Sequence, residues 1–254
     1  MRGDILKKKL MVLCAVAIMI STCLTGCKMN SGKIRFGSAG IGGTYQIFGD
    51  TFANLISSKS KKYNIEVKTT AGSAANLRLL SKDYIQMAVA QMDLINDAYN
   101  RTGIFENDKK YQGYRAVASL YTEACQIVVP ADSDIQSMDD LEGKKVCIGE
   151  EESGTEQNAL QILNAYGLNE RLVDTVNLNY TDAAKKLKSG DIDAFFCTAG
   201  VQTTVINELS KQCKIRLVSL DQKGISRLKK SYKFYTEYTI CLLYTSPSPR
   251  DMRR

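Results

Sequence analysis

Lys33-Ile34-Arg35-Phe36-Gly37-Ser38-Ala39-Gly40-Ile41-Gly42-Gly43-Thr44-Tyr45 is the stretch on which the fold turns. Its first five residues read as a short strand. A glycine-rich turn follows, and then Phe48, Phe52, Leu55 and Ile56 fall at helical spacing. Strand, tight turn and helix form the repeating unit of an α/β protein. The same order recurs downstream. Residues 65–69 alternate like a strand and 73–80 read as a helix, followed by a strand at 85–89, a helix at 91–99 and a polar loop at 101–111.

The second half repeats the pattern. Strands are expected at 116–120, 126–129, 145–148, 173–178, 192–196 and 215–220, and helices at 155–166, 182–187 and 201–209. Alternation of this kind predicts parallel sheets covered by helices. Two such blocks, joined near residues 121–130, predict two lobes, with a ligand at the strand ends where the helices begin.

Four strand-to-helix turns share one chemistry. They are the turn at 37–45, Thr70-Ala71-Gly72-Ser73-Ala74-Ala75-Asn76, Glu152-Ser153-Gly154-Thr155-Glu156 and Thr198-Ala199-Gly200-Val201. Each sets Gly with Ser or Thr where a helix starts. The first turn of a helix leaves N–H groups unpaired at the positive end of its dipole, and small residues let a carboxylate or phosphate reach them. Any one such turn is equally well an ordinary N-cap beside a tight bend. Two in each predicted lobe make a shared anion site the stronger reading. Gln91-Met92-Asp93 follows the third strand and Ser119-Leu120-Tyr121-Thr122-Glu123 lies between the lobes, so both can face the same gap, although Asp93 is equally a helix cap and Glu123 equally a solvated side chain.

Composition removes other function classes. The 254 residues include no histidine, which excludes Ser-His, Cys-His and His-metal devices. No Ser-x-x-Lys pair stands in the cleft turns, so no enzyme is expected. Tyr45 occupies the third glycine position of a dinucleotide fingerprint, and no Gly-Lys-Ser/Thr follows any turn. Of the net charge of +7, residues 1–9 contribute +3 and residues 250–254 contribute +2, which leaves only +2 on the body. No basic stripe interleaves with aromatics, so nucleic acid is not expected as a partner. No cofactor and no metal site is expected either: no Cys-x-x-Cys occurs.

The N-terminus reads as an export signal. Lys7-Lys8-Lys9 precedes the apolar run 10–20, which is too short to span a bilayer comfortably. Leu24-Thr25-Gly26-Cys27 resembles the bacterial lipobox, which implies cleavage after residue 26, lipidation of Cys27 and a tether over 27–32. The mature protein is then extracytoplasmic and lipid-anchored. Cys14 and Cys23 leave with the signal. Cys125, Cys147, Cys197 and Cys213 remain in the body, with Cys147 and Cys197 reading as small buried hydrophobes on strands; the sequence does not choose among possible pairings.

Gly42-Gly43-Thr44-Tyr45, Gly72-Ser73-Ala74-Ala75-Asn76-Leu77, Gln91-Met92-Asp93, Leu120-Tyr121-Thr122-Glu123, Ser153-Gly154-Thr155 and Phe196-Cys197-Thr198-Ala199-Gly200, taken in order, resemble the TAXI family of solute receptors for tripartite ATP-independent (TRAP) transporters. The likeness covers roughly residues 33–240. It implies an α/β, two-lobed type II periplasmic-binding-protein fold that captures a small anionic or zwitterionic solute, such as glutamate or a related organic acid, for a TRAP membrane permease. Carried over by position, Gly43, Thr44 and Tyr45 line one wall with Ser73 and Asn76 beside them. Gln91 and Asp93 meet the polar end of the solute, Tyr121 and Glu123 lie at the hinge, where Glu123 pairs with a ligand ammonium, and Gly154, Thr155 and Thr198 close from the second lobe. The resemblance divides the body into lobe 1 at 33–124, lobe 2 at 125–235 and a return towards lobe 1 at 236–240, with residues 235–240 expected as the strand that starts the return. Family members continue past this point, so lobe 1 is expected to be incomplete. Residues 241–254 break the pattern, hold two of the three prolines and resemble translated sequencing-adapter read-through, so they are expected to be a non-native tail. A receptor that reports the same cleft to a membrane kinase is the alternative function.

Overall fold

A computed structural model describes residues 33–201 and 203–240. The expected signal peptide, Cys27 with its tether, and the expected tail at 241–254 lie outside the described residues.

The first half builds a small sheet. Strand β1 (Lys33–Gly37) leads through the glycine-rich turn into α1 (Thr44–Lys59); β2 (Asn64–Lys68) precedes α2 (Ser73–Ser81), and β3 (Met87–Ala88) precedes α3 (Met92–Asn100). The order is β2-β1-β3, and β1 pairs in parallel with β3 through Phe36↔Met87 and Gly37↔Ala88. On one side Ala74, Leu77, Leu94, Ala98 and Phe105 close a compact core between α2, α3 and the turn at Gly103–Phe105. On the other, the buried Phe36 ring meets Phe48 and Phe52 at 6.1 and 5.8 Å between centroids. Phe48 and Phe52 are themselves only half-covered. They border an open trough of about 1580 Å³ whose far wall includes Leu217, Leu220 and Phe234.

The second half is larger. Strands β4 (Ala124–Pro130), β5 (Lys145–Gly149), β6 (Asp174–Asn177), β7 (Ala194–Ala199) and β8 (Ile215–Leu217) form a sheet of order β6-β5-β7-β4-β8. Helices α4 (Gly154–Ala165) and α7 (Gln222–Ser231) contribute Ile162, Leu163 and Leu228 to the core on one face. Helices α5 (Tyr180–Ser189) and α6 (Thr204–Gln212) contribute Ala183, Leu187, Val205, Ile206 and Leu209 on the other. Every residue of β7 is buried. Successive side chains of a strand point to opposite faces, so Phe195 enters one core and Phe196 the other. A strand covered on both faces reads as a continuous apolar run, which explains the composition of this segment. Cys147 and Cys197 are buried on β5 and β7 as expected, and the four described cysteines are free thiols. Burial pushes the Cys197 thiol up to about 12.

Three expectations require correction. The second sheet is mixed: β5 runs parallel to β6 and β7, whereas β4 is antiparallel to both β7 and β8. Apolar runs carry no direction, so alternation with helices could not reveal the reversal. Residues 116–120 form no strand; Val117 is 84% exposed, because no neighbouring strand offers the ladder that local propensity requires. Residues 235–240 also form no strand. Among the described residues no helix is long and apolar enough to cross a membrane, and no group of three or more side chains is placed to hold a metal ion.

Candidate ligand cleft between the two sheets

The strand ends of both sheets face one another. Gly43, Thr44 and Tyr45 at the start of α1, Gly72 and Ser73 at the start of α2, Gln91 before α3, and Glu123 before β4 meet Gly154 and Thr155 of α4, Tyr180 of α5 and Thr198 and Ala199 of β7 around a cavity of about 30 Å³. That is close to the share of liquid volume taken by one water molecule. In this conformation the lobes are closed on each other.

Helix chemistry explains why these turns converge. The N-caps of α1, α2 and α3 are Gly43, Gly72 and Gln91, and none makes a side-chain cap. Of their first-turn N–H groups, that of Ala75 donates to the Glu152 carbonyl at 3.1 Å and that of Leu94 to Asp93 Oδ1 at 2.8 Å. In the second lobe α4 is capped conventionally: Ser153 Oγ accepts from the Glu156 N–H at 2.9 Å. The glycines serve close approach. Gly72 has φ +128, a conformation L side chains rarely adopt, and a Cβ there would touch the Ser153 backbone of the opposite lobe. A Cβ on Gly154 would collide with the Gln91 amide.

Glu123 is the electrostatic centre. Its Oε2 accepts from Tyr45 Oη at 3.0 Å and its Oε1 from Tyr121 Oη at 3.4 Å. Burial pushes its carboxyl up to about 7, and hydrogen bonds from Gln91, Tyr45 and Tyr121 only partly oppose this. The Tyr45 hydroxyl also lies 3.5 Å from Ser73 Oγ, which accepts from the Gln91 N–H at 3.0 Å. Opposite them, the hydroxyls form a directed chain. Tyr180 Oη donates to the Thr198 carbonyl at 2.9 Å, so Thr155 Oγ1 donates to Tyr180 Oη at 2.5 Å and itself accepts from the Thr198 N–H at 3.4 Å.

Among the described residues two buried side-chain polar atoms have no hydrogen-bond partner, Gln91 Oε1 and Thr198 Oγ1. The orientation of the Gln91 amide is set by its neighbours. Asn158 Nδ2 donates to Tyr235 Oη at 2.8 Å and approaches Asp93 Oδ2 at 3.5 Å, which leaves Asn158 Oδ1 to accept from Gln91 Nε2 at 2.9 Å. Gln91 Oε1 is then an unanswered acceptor, and such atoms are rare in folded proteins.

Nine of the sequence-expected residues line the cavity: Gly43, Thr44, Tyr45, Ser73, Gln91, Glu123, Gly154, Thr155 and Thr198. Three do not. Asn76 is buried behind the wall, donating to the Ser38 and Val89 carbonyls at 2.7 and 2.9 Å and accepting from Thr70 Oγ1 at 2.8 Å. It ties strand ends together. Asp93 accepts from its own helix at the Leu94 N–H, 2.8 Å, and its carboxyl is raised by burial. Tyr121 stands behind Glu123, edge-on to Tyr45 at 6.5 Å. Tyr180 was missed. It follows Asn179, which caps α5 with its side chain, and that turn lacks the glycine that marked the others.

The architecture matches solved structures. The alkanesulfonate-binding protein SsuA from Xanthomonas axonopodis pv. citri, bound to MOPS, superposes with a TM-score of 0.50 at 18% identity, over 74% of this chain and 60% of that one. The binding protein of a phosphonate ABC transporter from Pseudomonas aeruginosa gives 0.52 at 12% identity, over 79% and 73%. A putative L-cystine ABC transporter protein from Listeria monocytogenes gives 0.51 at 16%, over 80% and 89%. This chain thus spans 60% of the length of the alkanesulfonate-binding protein. The mixed α/β fold is that of the type II periplasmic binding proteins. The model of the NMT1-like family matches residues 36–247, and the chain belongs to that family.

Proposed function

We propose that this protein is an extracytoplasmic solute receptor, not an enzyme, which binds a small carboxylate and hands it to a membrane transporter. The observation that carries the reading is the convergence on one cavity of two first-lobe helix N-termini without side-chain caps, at Gly43 and Gly72, and of one unpartnered buried polar atom from each lobe, Gln91 Oε1 and Thr198 Oγ1. A carboxylate held there meets N–H groups and hydroxyls in place of an arginine fork, since no Lys or Arg lines the cavity. Binding proteins of this architecture work by lobe closure, and the solute shifts the equilibrium only by its differential affinity for the two states. A glutamate-sized guest needs the lobes further apart than they stand here.

The finer assignment follows the ordered motif resemblance. In this reading the solute is a glutamate-like amino acid or organic acid, the partner is a TRAP-type permease, and Cys27 carries the lipid that holds the receptor at the membrane. Two of these structural relatives bear the names of ABC-transporter components, so the transporter class is the part of the proposal that needs its own test. Reconstitution of transport with each permease class, with and without this receptor, provides it.

The binding site is tested by calorimetry on the full chain. A panel of amino acids and dicarboxylates should contain a solute that raises Tm by several degrees at saturation. Thr44→Ala and Thr155→Ala should each weaken it. Unchanged affinity in both variants rejects this cleft as the site.

A further inference from the structure

Resting on the receptor reading, we infer that Tyr235 and Asn158 are positioning residues of the cleft: neither lines the cavity, yet together they turn the Gln91 amide so that it offers its carbonyl oxygen, and the cleft favours a solute that donates a hydrogen bond at that point. Gln91 belongs to the first lobe, at the start of α3. Asn158 stands on α4 in the second lobe, and Tyr235 on the segment that follows α7.

The orientation is passed through four side chains. A tyrosine hydroxyl has one hydrogen to give. That of Tyr235 goes to Gln161 Oε1 at 2.6 Å, one helical turn along α4 from Asn158. Towards Asn158 the hydroxyl can then only accept, and it takes a hydrogen from Asn158 Nδ2 at 2.8 Å. The Asn158 oxygen is left to accept from Gln91 Nε2 at 2.9 Å. Gln91 Oε1 lies against Gly154 in the cavity wall, buried and without a donor.

If Gln161 were turned about, every bond of the chain could reverse, and the Gln91 NH2 would take the place of its oxygen. Two features set the observed sense. Asn158 Nδ2 lies 3.5 Å from Asp93 Oδ2, so turning that amide would bring its oxygen against the carboxylate. The Tyr235 ring is held in place, edge-on to Tyr232 at 6.0 Å and packed against the core of the second lobe. Asp93, expected from the sequence to meet the solute, thus acts on it through Asn158. A hydroxyl on the solute can donate to the free oxygen, whereas a ketone has only acceptors and leaves it unpaired, which is costly in a buried site. A merely structural role for Tyr235 would weaken all solutes alike. A positioning role changes their ratio.

The test has two arms, both on the full chain. The first needs no solute. In nitrogen-15-labelled protein the Gln91 side-chain NH2, assigned by its loss in Gln91→Met, should exchange slowly with solvent because Asn158 holds it. Tyr235→Phe and Gln161→Leu should each speed that exchange several-fold. Unchanged exchange in Gln161→Leu, a half-exposed position on α4, overturns the inference even if Tyr235→Phe does not fold. The second arm compares 2-hydroxyglutarate with 2-oxoglutarate, and lactate with pyruvate, by calorimetry. Wild type should bind the hydroxy acid of a pair about tenfold more tightly. Tyr235→Phe and Gln161→Leu should bring that ratio towards one, and Tyr235→Phe should leave it unmoved in a Gln91→Met background. Equal weakening of both members of a pair makes Tyr235 a scaffold residue and overturns the inference while leaving solute reception intact. Where none of the four acids binds, the exchange arm alone decides.

Discussion

Glu123 is costly to the fold on its own. Its carboxyl shifts from an ordinary 4.5 to about 7 in the folded protein, and the direction of the resulting pH dependence can be worked out. The folded state holds its proton more tightly than the unfolded chain does. Stability from this group is fully present below pH 4.5, declines as pH rises towards 7, and stays lost above it. The loss is on the order of 3 kcal/mol if the whole shift is realised. Asp93 is shifted the same way by burial and adds to the trend. A difference measurement isolates Glu123. Urea unfolding of the wild type and Glu123→Gln at pH 5, 6, 7 and 8 should show the wild type falling relative to the variant across pH 5–7. Parallel curves would mean that the carboxyl is better solvated than its surroundings imply.

Helix starts, more than strands, define the cleft, and they were also its most legible part. The Gly-Ser/Thr turns before α1, α2 and α4 stood out in the sequence because small residues at helix N-termini are physically unusual outside caps and close approaches. What the sequence could not show was whether each polar residue faced the gap or the scaffold. Asn76 turned inward to bind the Ser38 and Val89 carbonyls. Tyr180 entered the cavity from a turn with an ordinary Asn179 cap. Helix α7 was missed because Gly224 and its run of Lys, Arg and Ser residues dilute the apolar spacing, although Asp221 caps it by accepting from the Gly224 N–H. Direction of β4 was equally invisible, since antiparallel pairing of a largely buried strand leaves no pattern.

The same element-level argument predicts an uncoupling of stability from binding. Gly154 occupies the first position of α4 without a positive φ, so alanine suits its backbone and favours the helix. In the closed state, however, the added Cβ meets the Gln91 amide, which is held by Asn158 at 2.9 Å. Gly154→Ala should therefore keep or slightly raise the Tm of the unliganded protein while weakening solute binding several-fold. Small-angle scattering should show a more open molecule. A variant that binds like wild type would mean that the lobes need not approach this closely at Gln91.

At the scale of the whole molecule, closure is held by contacts that lie outside the cavity. Ala75 N–H donates to the Glu152 carbonyl at 3.1 Å, Thr181 Oγ1 donates to the Ile41 carbonyl at 3.2 Å, and Arg78 Nη1 meets Glu152 Oε1 at 2.9 Å. Arg78 is fixed on its own lobe before it reaches across. Its Nε donates to Asp108 at 3.0 Å, its Nη2 to the Ile104 carbonyl at 3.2 Å, and its guanidinium lies 4.8 Å from the Phe105 ring centre. Such preorganisation lowers the entropy cost of the final contact. Glu152 is also fixed: it holds φ +64, and its N–H donates to Glu156 Oε2 at 2.8 Å. The pair is partly exposed, so its worth is modest, about 0.2–1 kcal/mol. That range corresponds to a weakening of solute binding between barely measurable and about fivefold when the pair is cut. Glu152→Gln should therefore reduce affinity within that range, through faster dissociation, with the Tm of the unliganded protein nearly unchanged. Affinity of the wild type should fall with added salt more steeply than that of Glu152→Gln. Identical salt dependence in the two proteins would show that the Arg78–Glu152 bridge plays no part in holding the lobes together.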